Sequence, residues 1–124
     1  QSLISHVMSL PTTYFPMIIS CTQKNNHLVM RLKILPKIIY FEGHFTGQPV
    51  LPGVTQISWV EHFAKIFFPF KAQFVRMEVI KFKHLICPDS IITMKINWEE
   101  SVGKLYFELS SSEGVHSSGR MVYQ

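Results

Sequence analysis

One segment alone carries strong helical periodicity, and it is apolar on most of its surface. Pro52–Phe67 reads PGVTQISWVEHFAKIF. At about 100° per residue, Ile57, Val60, Phe63, Ala64 and Phe67 fall on one face. Trp59 and Ile66 widen that face. Ser58, Glu61, His62 and Lys65 gather opposite. Pro52 suits a first helical turn and Pro69 stops the helix. A helix this greasy needs a cover on most sides, so the rest of the chain must supply one.

The remaining segments read as strands. Phe15–Thr22 is apolar and rich in β-formers, and Lys24-Asn25-Asn26 is a turn. His27–Leu35 alternates, with Leu28, Met30, Leu32 and Ile34 on the core side. Pro36–Leu51 is a long loop, and long loops in small domains often carry function. After the helix, Ala72–Leu85 is a long β-rich run. Ile92, Met94, Ile96 and Trp98 share one side of the next strand. Leu105, Phe107 and Leu109 do the same in the strand after the turn Ser101-Val102-Gly103. Glu113-Gly114 turns into a last strand, Val115–Tyr123. The economical fold is α+β: an antiparallel sheet wrapped around one helix. Apolar positions left on the sheet's outer side point to dimerisation.

At 124 residues with 47% hydrophobic and 16% charged residues, the chain fits a single packed domain. It divides into a lead-in, residues 1–13, and a domain, residues 14–124. The start at Gln1 rather than Met is what a trimmed chain or a domain of a longer one would show. No apolar run reaches membrane-spanning length and no signal peptide is visible. The net charge of +4 favours acidic partners, but the basic residues are too dispersed for nucleic-acid binding. Cys21 and Cys87 lack metal-ligand spacing and read as reduced thiols of a cytoplasmic protein.

The loop before the helix, Phe41–Val54, reads FEGHFTGQPVLPGV. A histidine in a Gly/Pro-rich loop at a helix start sets an imidazole beside backbone N–H groups, which suits carbonyl chemistry. The plainer role for His44 is to tie down its own loop, and for the glycines to shape turns. Ser58 is either a water-facing helix residue or part of a site on the polar face. Glu61 and Lys65 have the i,i+4 spacing of a surface ion pair, and Glu61 is also a possible acid. His62 reads as a solvated polar-face residue. Trp59, Phe63 and Phe67 are explained by core burial.

The run GHFTGQPVLPGV resembles the signature of the 3-hydroxyacyl-[acyl carrier protein] dehydratases, which have the hot-dog fold. The family pattern is close to GHFPGxPxxPGV. His44, Phe45, Gly47, Pro49, Pro52 and Gly53 match, and Thr46 stands at the usual proline. Lys81-Phe82 and Pro88-Asp89 are similar to the strand and turn after the helix. Ser118-Gly119-Arg120 resembles the thioester dehydratase-like branch of aryl-polyene-type lipid synthesis. The likeness covers roughly residues 15–123.

This resemblance implies that His44 removes a proton next to a thioester carbonyl. It implies that the Gly53 N–H holds the thioester oxygen. The acyl chain would lie in an apolar tunnel beside the helix, touched by Phe45, Val50, Pro52, Val54 and Trp59. It implies no metal or redox cofactor. The acyl group would come on the phosphopantetheine of an acidic acyl carrier protein or on coenzyme A. Sites would be shared across a homodimer, or a higher oligomer of dimers. The family's Asp or Glu, fourteen positions after the histidine, is here Ser58. A serine hydroxyl is no acid near neutral pH. Two alternatives therefore stay open: a hot-dog thioesterase in which Ser58 and Gln56 orient a water, and a non-catalytic acyl-thioester-binding domain.

Overall fold

A computed structural model describes residues 3–38 and 49–124. The elements run α1 (Leu3–Met8), β1 (Met17–Lys24), β2 (His27–Lys33), α2 (Gly53–Phe67), β3 (Phe74–Phe82), β4 (Ile91–Glu99), β5 (Lys104–Ser111) and β6 (Gly114–Tyr123), with a 3₁₀ turn at Glu100–Val102. The six strands form one sheet in the order β1-β2-β4-β5-β6-β3, and every neighbouring pair is antiparallel. The link from β2 through α2 to β3 carries the chain from one side of the sheet to its far edge, and α2 lies across the face between. This is the hot-dog fold expected from the sequence.

The strand alternation predicts the core. Leu28, Met30 and Leu32 of β2 are fully buried, and so are Ile92, Met94 and Leu105. Trp59 and Phe63 of α2 meet them at 2% and 0% exposure. Burying each of these rings contributes roughly 2–3 kcal/mol. Past Pro69, Phe70 stacks on Trp98 at 4.3 Å and meets Tyr123 edge-on at 4.7 Å. These rings pin the end of α2 to β4 and β6.

Two details differ from the periodicity. The buried stripe of α2 runs through Thr55, Gln56, Trp59, Val60, Phe63, Ala64 and Phe67, so Ile57 sits at its margin. His62 is half-buried rather than fully solvated. Its ring lies 4.7 Å from that of Phe15, and its Nε2 is buried with no partner among the described residues. The strand's lead-in folds back over this side of α2, which helical periodicity alone does not reveal. Residues 1–13 include α1, whose Val7 is fully buried.

The His62 environment has a measurable consequence. Burial lowers its pKa below 6.5, and His6 adds repulsion. Below pH 6.5 the unfolded chain takes up a proton that the folded chain resists, so stability falls as pH drops through that value. Replacing His62→Phe should flatten this part of the melting-temperature profile. An unaltered slope in the variant would reject the assignment.

β3 is an edge strand with a bulge. Glu78 pairs with Arg120 and Lys81 with Ser118, so Val79 and Ile80 together face Gly119. Val79 has φ 53, unusual for a β-branched residue. A Cβ on Gly119 would lie 2.4 Å from Ile80 Cδ1, so only glycine lets Ile80 cross there. Arg120 Nε donates to Glu78 Oε1 at 2.6 Å, and Arg76 Nε donates to its Oε2 at 2.8 Å. With Arg120 first and Arg76 second, these bonds hold the Glu78 carboxyl down to about 2. The Ser118-Gly119-Arg120 run is thereby accounted for as a bulge receptor and a carboxylate partner.

Candidate active site

A groove of about 800 Å³ runs between α2 and β3. Val54, Ile57, Ser58 and Glu61 form its helix wall, while Phe74, Met77 and Phe82 form its strand wall. Lys65 and Lys71 stand along it. The side of α2 turned toward the edge strand β3 makes this wall, where Ser58 is exposed and Glu61 half-buried.

Glu61 has two partners. Tyr123 Oη donates to its Oε2 at 2.5 Å. Lys65 Nζ lies 3.9 Å away, and its side chain is mostly exposed. The i,i+4 pair expected from sequence is present, but at this distance and exposure it adds little. The tyrosine is the firmer contact. Burial and then the Glu61 carboxylate push the Tyr123 phenol well above its ordinary pKa, so it stays a neutral donor. Sequence spacing could not reveal this bond, because 62 residues separate the partners.

A second pocket of about 360 Å³ lies at the start of α2. Val50, Pro52, Gly53 and Gln56 line one side, and Phe82, Lys83 and His84 stand opposite. Pro52 precedes the helix and no side chain caps it. The N–H groups of Thr55 and Gln56 turn back to the Pro52 carbonyl. Among the described residues nothing accepts from the N–H of Gly53 or Val54. An uncapped helix start of fifteen residues is a favourable place for negative charge. The approach to it is pinned: Leu51 N–H donates to Ile86 O at 2.8 Å, and Gln56 Nε2 donates to Leu51 O at 3.1 Å.

The expected site residues therefore divide. Val50, Pro52 and Gly53 meet at the helix start, and Val54, Ser58 and Glu61 share the groove. Trp59 does not join them. It sits on the buried side of α2, where its Nε1 donates to Tyr14 O at 3.0 Å, and it lines neither cavity. Among the described residues its contacts are those of packing. Gln56 and Ser58 line different cavities, because two residues along a helix differ by roughly 200°. His44 and Phe45 lie outside the described residues. Sequence reading gave Phe82 only a strand position, yet it reaches both cavities.

The family model described as ApeI-like, ApeI dehydratase, matches residues 20–120. The chain belongs to this ApeI dehydratase-like family. Among solved structures, the dehydratase heterocomplex ApeI:P from Xenorhabdus doucetiae is similar, with a TM-score of 0.82 and 32% identity. That match covers 87% of this chain and 96% of the other. A protein from Erwinia carotovora subsp. atroseptica matches with a TM-score of 0.78 and 30% identity, over 89% of this chain and 96% of that one. The 3-hydroxyacyl-[acyl-carrier-protein] dehydratase FabZ of Roseobacter denitrificans is 27% identical over 67 aligned residues. The alignment takes in 47% of this chain and spans 44% of the length of that relative. The chain is thus a dehydratase-like hot-dog protein related to ApeI and FabZ.

Among the described residues, no helix is long and apolar enough to cross a membrane and no cluster of side chains could hold a metal ion. Cys21 and Cys87 are free thiols.

Proposed function

We propose that this chain binds a 3-hydroxyacyl thioester and eliminates water to give the 2-enoyl thioester, in fatty-acid or polyene-like lipid synthesis. The observation that carries this reading is the apolar groove along α2, which lies beside an uncapped helix start. An acyl chain fills the groove, and the thioester carbonyl lies at the Gly53 N–H.

In this reading His44 takes the proton from the carbon next to the carbonyl. The C–H electron pair moves to the thioester oxygen, where the helix start stabilises the charge. The charge then returns to form the carbon–carbon double bond, and the hydroxyl leaves as water with the proton that His44 removed. Ser58 hydrogen-bonds that hydroxyl, and Glu61 is the alternative proton donor. The reaction is redox-neutral and needs only a base and an acid, so no metal or redox cofactor is assigned.

The substrate arrives on the phosphopantetheine of an acidic carrier protein or on coenzyme A. Lys65 and Lys71 beside the groove and the +4 charge support an acidic partner. The bulged, apolar edge of β3 supports pairing with a second hot-dog chain. That chain is another copy of this one in a homodimer or an oligomer of dimers, or a related chain, as in the ApeI:P heterocomplex. The free thiols support a cytoplasmic setting.

Ser58 favours one second reading, a non-catalytic acyl-thioester binder. Mass spectrometry after incubation with 3-hydroxyacyl-coenzyme A and 3-hydroxyacyl carrier protein separates the cases. Loss of one water with no free thiol is the expected result. Release of free thiol would mean a thioesterase, and an unchanged but bound thioester would mean a binder.

A further inference from the structure

Phe82 stands where the two cavities meet, and among the described residues it is the one that lines both. It ends β3, pairs with Ser117 of β6, and is followed by a bond from Lys83 N–H to His116 O at 2.8 Å. Its main chain is therefore held. Phe82 is 52% exposed in the single chain, so packing within this chain does not lock its ring. One edge of the ring lies over the first residue of α2. A Cβ on Gly53 would meet Phe82 Cζ at 2.7 Å and Cε1 at 2.9 Å. Only glycine at position 53 leaves room for the ring there.

We propose that Phe82 is a specificity-determining gate between the groove and the α2 start, selecting acyl groups by their width next to the thioester. The inference rests on the acyl-thioester reading above. The acyl chain occupies the groove while its carbonyl reaches the pocket, so it must pass the ring. With the ring over Gly53, a slim straight chain passes and a branched or ring-bearing one collides. Turning the ring about its side-chain torsions widens the passage, a motion open to a half-exposed side chain. Removing the ring fuses the cavities.

The test compares a straight-chain 3-hydroxyacyl-coenzyme A with one of equal length that is branched beside the reacting carbons. The readouts are kcat/KM for each and dissociation constants by calorimetry. Phe82→Ala should raise the branched-to-straight ratio tenfold or more, the scale set by small steric differences in apolar pockets. Phe82→Leu should fall between, and it keeps the test open if the alanine variant does not fold. Phe82→Trp should lower the ratio. Ratios unchanged across folded variants that still bind both thioesters would overturn the gate alone. A wild-type chain that binds neither thioester would overturn the acyl-thioester reading and the gate with it.

Discussion

Ser58→Asp is expected to raise water elimination from 3-hydroxyacyl thioesters by about two orders of magnitude, the usual contribution of a placed general acid. Ser58 is exposed on the groove wall of α2, so a carboxyl group there meets no packing penalty. A serine hydroxyl can hold the leaving group but cannot protonate it near neutral pH. The check is the rate of 2-enoyl product formation in the variant and the wild type, with Ser58→Ala alongside. If serine only fills the space, alanine changes little. A different outcome would relocate the acid. Should the wild type already turn over at ordinary enzyme rates, and Glu61→Gln abolish this, the proton comes from one helical turn further on. Tyr123 would then be its positioning partner, through the 2.5 Å bond to Glu61.

His44→Ala should lower turnover by about a hundredfold or more, as expected for loss of a general base. The sequence puts His44 in a Gly/Pro-rich run outside the periodic segments that build the core, so the melting temperature should stay near that of the wild type. Both quantities are needed: a fall in turnover with an equal fall in folded fraction would carry no information about chemistry. Unchanged turnover in a folded variant would remove His44 from the mechanism.

The fold was legible because the burial pattern repeats at two clean periods. Leu28, Met30 and Leu32 alternate toward the core, as do Ile92, Met94 and Ile96, and each falls where a period of two puts it. The helix was legible from Pro52 and Pro69 at its ends and from Phe63, Ala64 and Phe67. Ile57 and His62 were misplaced for one reason. A helical wheel gives angles, but not which neighbours arrive to cover each angle, and Phe15 reaches His62 from just before β1. The site was legible only near the loop motif. Val50, Pro52 and Gly53 are close in sequence, so their meeting needed no tertiary knowledge. Tyr123 and Phe82 reach α2 from distant strands, and the bulge at Val79 alters the spacing that any strand pattern would assume.

The uncapped start of α2 sets a limit on how stable this chain can become. A serine or aspartate in place of Pro52 would bond the first free N–H groups, and such caps contribute roughly 1 kcal/mol. The same cap would take the Val54 N–H and set its own oxygen beside the Gly53 N–H, crowding the place proposed for the thioester oxygen. Variants selected for heat resistance alone should therefore accumulate at position 52, gaining stability as they lose turnover, whereas selection for activity holds the helix mouth open.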